Sequence, residues 1–214
     1  MSKPRPIGRP TTATQADIEG CRRGDRRALD ALFRAEAPAL ERVITRLLGP
    51  VPEVEDVLQS TLMAAIDAFP RYRGEASVRT WLTRIAVHMV YGHLRRPQRR
   101  LRPKLELVQA VQAQQPGPPG PERIAASKQL VERLYGHLDA VGTKKRIAFI
   151  LHVLEGRPIR EVAALVGASE TATKSRVFFA RRALMGRVRR DPEMRELLAE
   201  PDDESRGSRK GGDR

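Results

Sequence analysis

The run Ile159-Arg160-Glu161-Val162-Ala163-Ala164-Leu165-Val166-Gly167-Ala168-Ser169, continued by Glu170-Thr171-Ala172-Thr173-Lys174-Ser175-Arg176, decides the fold. Val162, Ala163 and Val166 recur at helical spacing and form an inward face. The small side chain of Ala163 lets a second helix come close. Gly167 supplies the turn, and Ser169 is placed to cap the helix that follows. Two helices joined in this way form a helix-turn-helix, whose second helix offers its first turns to a major groove. Glu170, Thr171, Lys174, Ser175 and Arg176 are therefore candidates for base or phosphate contact, with Arg181 on the phosphates. Residues 171–190 contain no acidic side chain, so turn, cap and charge agree.

Around this motif the pattern predicts helices at about 122–140, 143–155, 159–166 and 169–189. Thr143 is a candidate cap for the second, and Pro158 suits the first turn of the third. Upstream, residues 97–121 form a linker that begins with Arg99, Arg100, Arg102 and Lys104 and ends in Gln-Gln-Pro-Gly-Pro-Pro-Gly-Pro.

Before the linker, residues 14–96 read as a second helical unit. A short helix starts near Thr14 and ends at the turn pair Gly24-Asp25, and Asp25 caps a helix to about Leu48. Leu29, Leu32, Phe33, Leu40, Val43 and Leu47 keep helical spacing along it, with a kink or break expected at Pro38. The next helix, about 53–69, places Val54, Val57, Leu58, Thr61, Leu62, Ala65 and Phe69 on one face. Glu53, Glu55, Asp56 and Gln59 cluster at its start, where the helix dipole favours negative charge. The last helix of this unit, about 77–95, has Val78, Leu82, Ile85 and Met89 as its core stripe. Thr80, Thr83, Arg84, Val87 and Tyr91 lie opposite, flanked by Arg79, His88 and Arg95. Residues 1–13 and 191–214 read as largely disordered tails. The predicted fold class is all-α: two small helical domains, 14–96 and 122–190, joined by a flexible linker, the C-terminal one carrying the helix-turn-helix.

Composition narrows the partners. Aromatic residues make up only 4% of the chain and the net charge is +14, which favours helices and polyanionic partners. Cys21 is the only cysteine, so no intrachain disulfide forms and a reducing compartment is expected. No apolar run approaches the ~20 residues that span a bilayer. These features place the protein in the cytoplasm, on the nucleoid, with no membrane insertion. Four scattered histidines and one cysteine give no metal-site spacing, and no cofactor, catalytic residue or enzymatic activity is expected.

A second basic stretch, residues 76–105, holds eight cationic residues and no acidic one. Its Arg/Thr/Tyr helix face can meet phosphates, while the preceding loop, 71–76, can pocket an unstacked base. Trp81 reads first as core packing. The Glu53–Gln59 cluster stands out in so basic a chain and has two readings, a well-capped solvated helix start or an acidic patch for a basic protein partner.

Three segments in order carry a family likeness: Glu55-Asp56-Val57-Leu58-Gln59-Ser60-Thr61, then Tyr72-Arg73-Gly74-Glu75-Ala76-Ser77-Val78-Arg79-Thr80-Trp81-Leu82-Thr83-Arg84-Ile85-Ala86, then Lys174-Ser175-Arg176-Val177-Phe178-Phe179-Ala180-Arg181-Arg182-Ala183-Leu184. The chain resembles the extracytoplasmic-function (ECF) sigma factors of bacterial RNA polymerase. The resemblance implies that Glu55, Asp56 and Gln59 dock on the clamp helices of the polymerase largest subunit. It implies that Arg79, Thr80, Arg84, His88 and Tyr91 read and open the −10 promoter element. The helix from Ser169 would enter the −35 element, with the domain held near the polymerase flap and the linker threaded through the enzyme. An anti-sigma protein is a further partner the resemblance allows. The chain departs from the family pattern at His88, where Asn is frequent, at Gly142-Thr143, where a Pro-Pro-type turn is frequent, and at Thr171-Ala172-Thr173. The rival readings are a helix-turn-helix regulator that acts without being a polymerase subunit, a DNA invertase-like enzyme, which would need a strand-rich domain, and a general architectural nucleic-acid protein, which would bind without sequence preference.

Overall fold

The computed structural model describes residues 14–95 and 121–198. The described residues are helical and include no strand. The N-terminal half holds α1 (Gln15–Arg22), α2 (Arg26–Leu48), α3 (Val54–Ala68), a 3-10 turn (Phe69–Arg71) and α4 (Val78–Leu94). The C-terminal half holds α5 (Pro121–Asp139), α6 (Thr143–Phe149) running into a π-helical turn (Ile150–Leu154), α7 (Ile159–Val166), α8 (Glu170–Val188) and α9 (Pro192–Leu198). The expectations for residues 1–13, 96–120 and 199–214 lie outside the described residues.

Short polar side chains set most helix starts. Thr14 and Asp17 form a reciprocal capping box at α1. Asp25 accepts from the Arg27 and Ala28 amides at 2.8 and 3.4 Å, Ser77 from Thr80 at 3.1 Å, and Ser169 from Ala172 at 3.1 Å. Gly167 ends α7 at φ 60°, a left-handed turn that glycine adopts without steric cost. Two expectations are corrected. Thr143 makes no capping bond; Gly142, at φ 93°, is the residue before α6. Pro38 does not break α2, which runs on to Leu48. Pro38 is exposed, so the Arg34 carbonyl that loses its amide partner can turn toward water.

The N-terminal core forms where α2, α3 and α4 pack on one another, around Leu40, Ile44, Ala65, Phe69 and Leu82, all at most 1% exposed. Phe69, Tyr72 and Trp81 pack in tilted and edge-to-face pairs with ring centroids 5.2–5.5 Å apart, the core role expected of Trp81. The C-terminal core joins α6, α7 and α8 through Ile147, Leu151, Val162, Leu165 and Ala180.

The two halves share a continuous hydrophobic core. α4 packs on α6 and α7, and α2 on the π-helical turn. This corrects the one-sided reading of α4. Val87 and Val90 are buried, whereas Ile85 and Met89, assigned to its core stripe, are half-buried. The side of α4 turned away from α2 and α3 lies against the C-terminal half. Polar groups reinforce the contact: the Arg146 guanidinium, 2% exposed, donates through Nε and Nη2 to the Leu47 carbonyl at 3.1 and 2.8 Å. Tyr135 Oη donates to the Arg46 carbonyl at 2.8 Å, and Arg46 pairs with Glu155 at 2.5 Å. The last carbonyls of α2, which have no partner within their own helix, are thus capped by the other half of the chain.

The segment from residue 191 departs from the tail expected there, because α9 buries Met194 to 2% exposure. Asp191 caps α9 by accepting from the Met194 amide at 3.1 Å, and it pairs with Arg133 at 3.1 Å and His137 at 2.8 Å. The Met194 amide, followed by His137 and Arg133, holds its carboxyl below the ordinary carboxylate value. A depressed folded-state pKa adds stability that is complete above the unfolded value and fades as the carboxylate takes up a proton. The protection factor of the Met194 amide, its exchange rate relative to the unstructured chain at the same pH, should therefore hold steady at neutral pH and fall once pH drops below about 4. Asp191→Asn should remove that pH dependence.

Candidate nucleic-acid interface

α4 carries the first group of expected contact residues. Arg84 and His88 are exposed and Tyr91 is half-buried, and their spacing of four and three residues aligns them on one stripe. The His88 ring nitrogen Nδ1 lies 3.2 Å from the Arg84 carbonyl, and the Arg95 guanidinium sits 5.5 Å from the Tyr91 ring centroid. Thr80 is half-buried, its hydroxyl 2.9 Å from that of Ser77. Arg79 is placed differently. Its Nε donates to Glu36 Oε2 at 2.7 Å and its Nη2 to Oε1 at 3.3 Å. Glu36 is 1% exposed, so this fork binds a carboxylate in the core, and Arg79 does not stand with Arg84, His88 and Tyr91.

α8 presents the second group. Glu170, Thr171, Lys174, Ser175 and Arg181 are exposed, and Arg176 is half-buried. Thr173 faces inward, its hydroxyl bonded to the Ser169 carbonyl at 2.9 Å. Phe178, not among the expected residues, is 60% exposed and sits one turn beyond Lys174, between it and Arg181. The signal for it was an aromatic residue on the outward stripe of a helix whose inward stripe is complete without it.

The two groups meet. His88 and Tyr91 of α4 line a cavity of about 220 Å³ together with Lys144, Gly167 and Arg176. Arg176, in the second turn of α8, thus faces the His88–Tyr91 stripe of α4 across this cavity.

α3 carries the third group. Glu55, Asp56 and Gln59 are exposed, whereas Glu53 is buried at 8% and leaves the acidic cluster. Asp56 and Gln59 continue along the helix into Met63 and Ile66, which are 61% and 46% exposed. Spacings of three, four and three residues put all four on one face. Met63 and Ile66 were not among the expected residues, although both fall off the apolar stripe of α3 on a helical wheel.

Comparison with known proteins accounts for this layout. The chain matches the family model for sigma-70 region 2 over residues 32–100 and that for sigma-70 region 4 over residues 136–184. It is 32% identical over 187 residues to the probable RNA polymerase sigma-C factor of Mycobacterium bovis, covering 81% of this chain and 94% of that protein. It is 28% identical over 181 residues to the ECF RNA polymerase sigma-E factor of Escherichia coli, covering 81% of this chain and 93% of that protein. Among solved structures, CnrH in complex with the cytosolic domain of CnrY aligns at a TM-score of 0.59 with 23% identity, over 84% of this chain and 99% of that one. The sigma factor RpoE in complex with the anti-sigma factor NepR from Bartonella quintana aligns at 0.52 with 23% identity, over 76% and 97%. These two likenesses bear on the fold. With both sigma-70 regions matched in order, and with a relative above 30% identity along most of its length, the chain belongs to the ECF sigma factor family of RNA polymerase.

Proposed function

We propose that this sigma factor binds core RNA polymerase through α3, reads the −10 promoter element with α4 and the −35 element with α8, and takes no part in bond chemistry itself. Residues 14–96 and 122–190 act as the two working domains, with 97–121 between them. The observation that carries this reading is the outer face of α3, where Asp56 and Gln59 lead into the exposed Met63 and Ile66. A solvated helix has no use for two large apolar side chains there, whereas an acidic head with an apolar tail fits a basic, partly apolar protein surface. A helix-turn-helix regulator acting alone would not need such a face. Thr80, Arg84, His88 and Tyr91 are the −10 contacts, with Arg79 assigned to holding α4 in place. Glu170, Thr171, Lys174, Ser175, Arg176 and Arg181 are the −35 contacts, joined by Phe178, whose ring suits a thymine methyl. Each DNA contact alone is weak and salt-dependent, and polymerase makes the second one effectively intramolecular. The likeness to CnrH and RpoE, each solved with a protein partner, supports an anti-sigma protein as a further partner.

One paired experiment tests the division of labour. Asp56→Arg should weaken association with core polymerase by about tenfold or more, since a like charge now faces the basic surface. Arg176→Ala should keep that association while lowering −35-dependent binding by about tenfold, the low end of a bidentate base contact. Normal core binding by Asp56→Arg would remove α3 from the docking face, and equal loss by Arg176→Ala on every sequence would make that arginine a phosphate contact.

A further inference from the structure

A basic groove lies between α5, α8 and α9, toward the C-terminal end of α8 and beyond the cavity shared with α4. It has a volume of about 950 Å³, and Lys145, Phe179, Arg182, Arg187 and Arg190 are among the residues lining it. Lys145, Arg182, Arg187 and Arg190 are exposed and make no ion pair among the described residues. The acids on its rim, Asp191 and Glu193, are already paired with Arg133, and Asp191 also with His137. These four cations, unpaired among the described residues and set beside the exposed Phe179 and Ala183, match the charge of a short acidic segment.

The chain carries such a segment directly beyond α9. Residues 199–204 read Ala-Glu-Pro-Asp-Asp-Glu, four acids and no base in a chain of net charge +14. α9 begins at the rim of the groove with Pro192 and ends at Leu198, a rise of about 10 Å. Four residues beyond Leu198 can span at most about 13 Å, enough for Asp202, Asp203 and Glu204 to reach back from the end of α9 to its start. The tether holds the acids near the groove at an effective concentration on the order of millimolar.

We propose that the acidic run 200–204 docks in the groove of Lys145, Arg182, Arg187 and Arg190 and acts there as a built-in competitor for nucleic-acid phosphates. The segment weakens indiscriminate binding to polyanions, while a bound target displaces it. This assignment stands on charge and reach alone, and its test does not involve polymerase.

Zero-length carboxylate-to-amine crosslinking of the full chain at low salt, followed by peptide mass spectrometry, reads the contact directly. Lys145 should join to the 200–204 peptide within one chain, in preference to Lys128, Lys144 and Lys174, and the product should vanish at high salt. Arg187→Gln/Arg190→Gln, at two exposed positions that keep the fold by circular dichroism, should cut the yield several-fold, with Arg23→Gln unchanged. Glu200→Gln/Asp202→Asn/Asp203→Asn/Glu204→Gln should bind a non-specific duplex about tenfold more tightly at low salt, with the gap closing as salt rises. Equal yields at all lysines, or a product formed only between chains, would overturn the docking. Unchanged duplex affinity of the neutralised segment would overturn its role as competitor.

Discussion

Arg79→Ala lowers the unfolding free energy by about 3–5 kcal/mol, the cost of leaving one member of a buried ion pair without the other. The carboxylate left behind is that of Glu36, 1% exposed and on α2, which Arg79 holds from α4 with two nitrogens. Truncation leaves the charge inside the core with its paired donors removed. Lysine in place of Arg79 recovers only part of the loss, because a point charge cannot reproduce the planar fork. Replacing both partners together, as Glu36→Leu/Arg79→Met, recovers more, since no uncompensated charge remains. Chemical denaturation of the four proteins measures these differences. The same series separates two roles for Arg79. A DNA-contacting arginine would lose duplex affinity with little change in stability; a positioning arginine loses stability, and the Leu/Met double variant keeps most of its promoter binding.

Arg146→Ala is the second large effect, expected at about 3 kcal/mol from an unsatisfied buried carbonyl and a void where the side chain lay. Arg146 reaches the Leu47 carbonyl at the end of α2, pairs with Asp139, and its guanidinium stands 5.4 Å from the Tyr135 ring centroid. Tyr135 in turn presses on Gly49, where an added Cβ would lie 2.5 Å from its ring at a φ of 78°. For a chain of this size the loss corresponds to a fall in Tm of about 6–12 °C. Because these contacts join the two halves, distance labels on α4 and α8 should also move apart in the variant at temperatures where each half stays helical. A Tm unchanged by Arg146→Ala would mean that the shared apolar core alone holds the halves together.

Much of this architecture was legible in the sequence because local chemistry set it. Asp25, Ser77 and Ser169 cap helices, Gly167 turns the chain, and the α7 and α8 boundaries follow from those residues. What escaped depended on partners far along the chain. Val87 sits on what reads as the outward side of α4, and it is buried by helices more than fifty residues downstream. Arg79 reads as a surface cation until Glu36, 43 residues away, is placed opposite it. α9 is too short for periodicity to reveal, and its anchors, Arg133 and His137, lie on α5. Among the interface residues, the polar members of the α3 and α8 faces were visible as charge clusters. Met63, Ile66 and Phe178 were not, because an apolar residue is assigned inward until the core is seen to be full.

The widened turn after α6 sets an angle. From Ile150 to Leu154 the backbone fits one residue more into each turn, and the Glu155 amide reaches back five positions to the Ile150 carbonyl at 3.0 Å. The chain therefore leaves this turn roughly a quarter revolution behind a regular α continuation. α7 and α8 follow from that exit point through Gly156, at φ 68°, and the extended Pro158. The bearing of the helix-turn-helix therefore rests in part on the pitch of five residues outside it, and deleting one of them would turn α7 and α8 against α6 without altering a side chain on either helix.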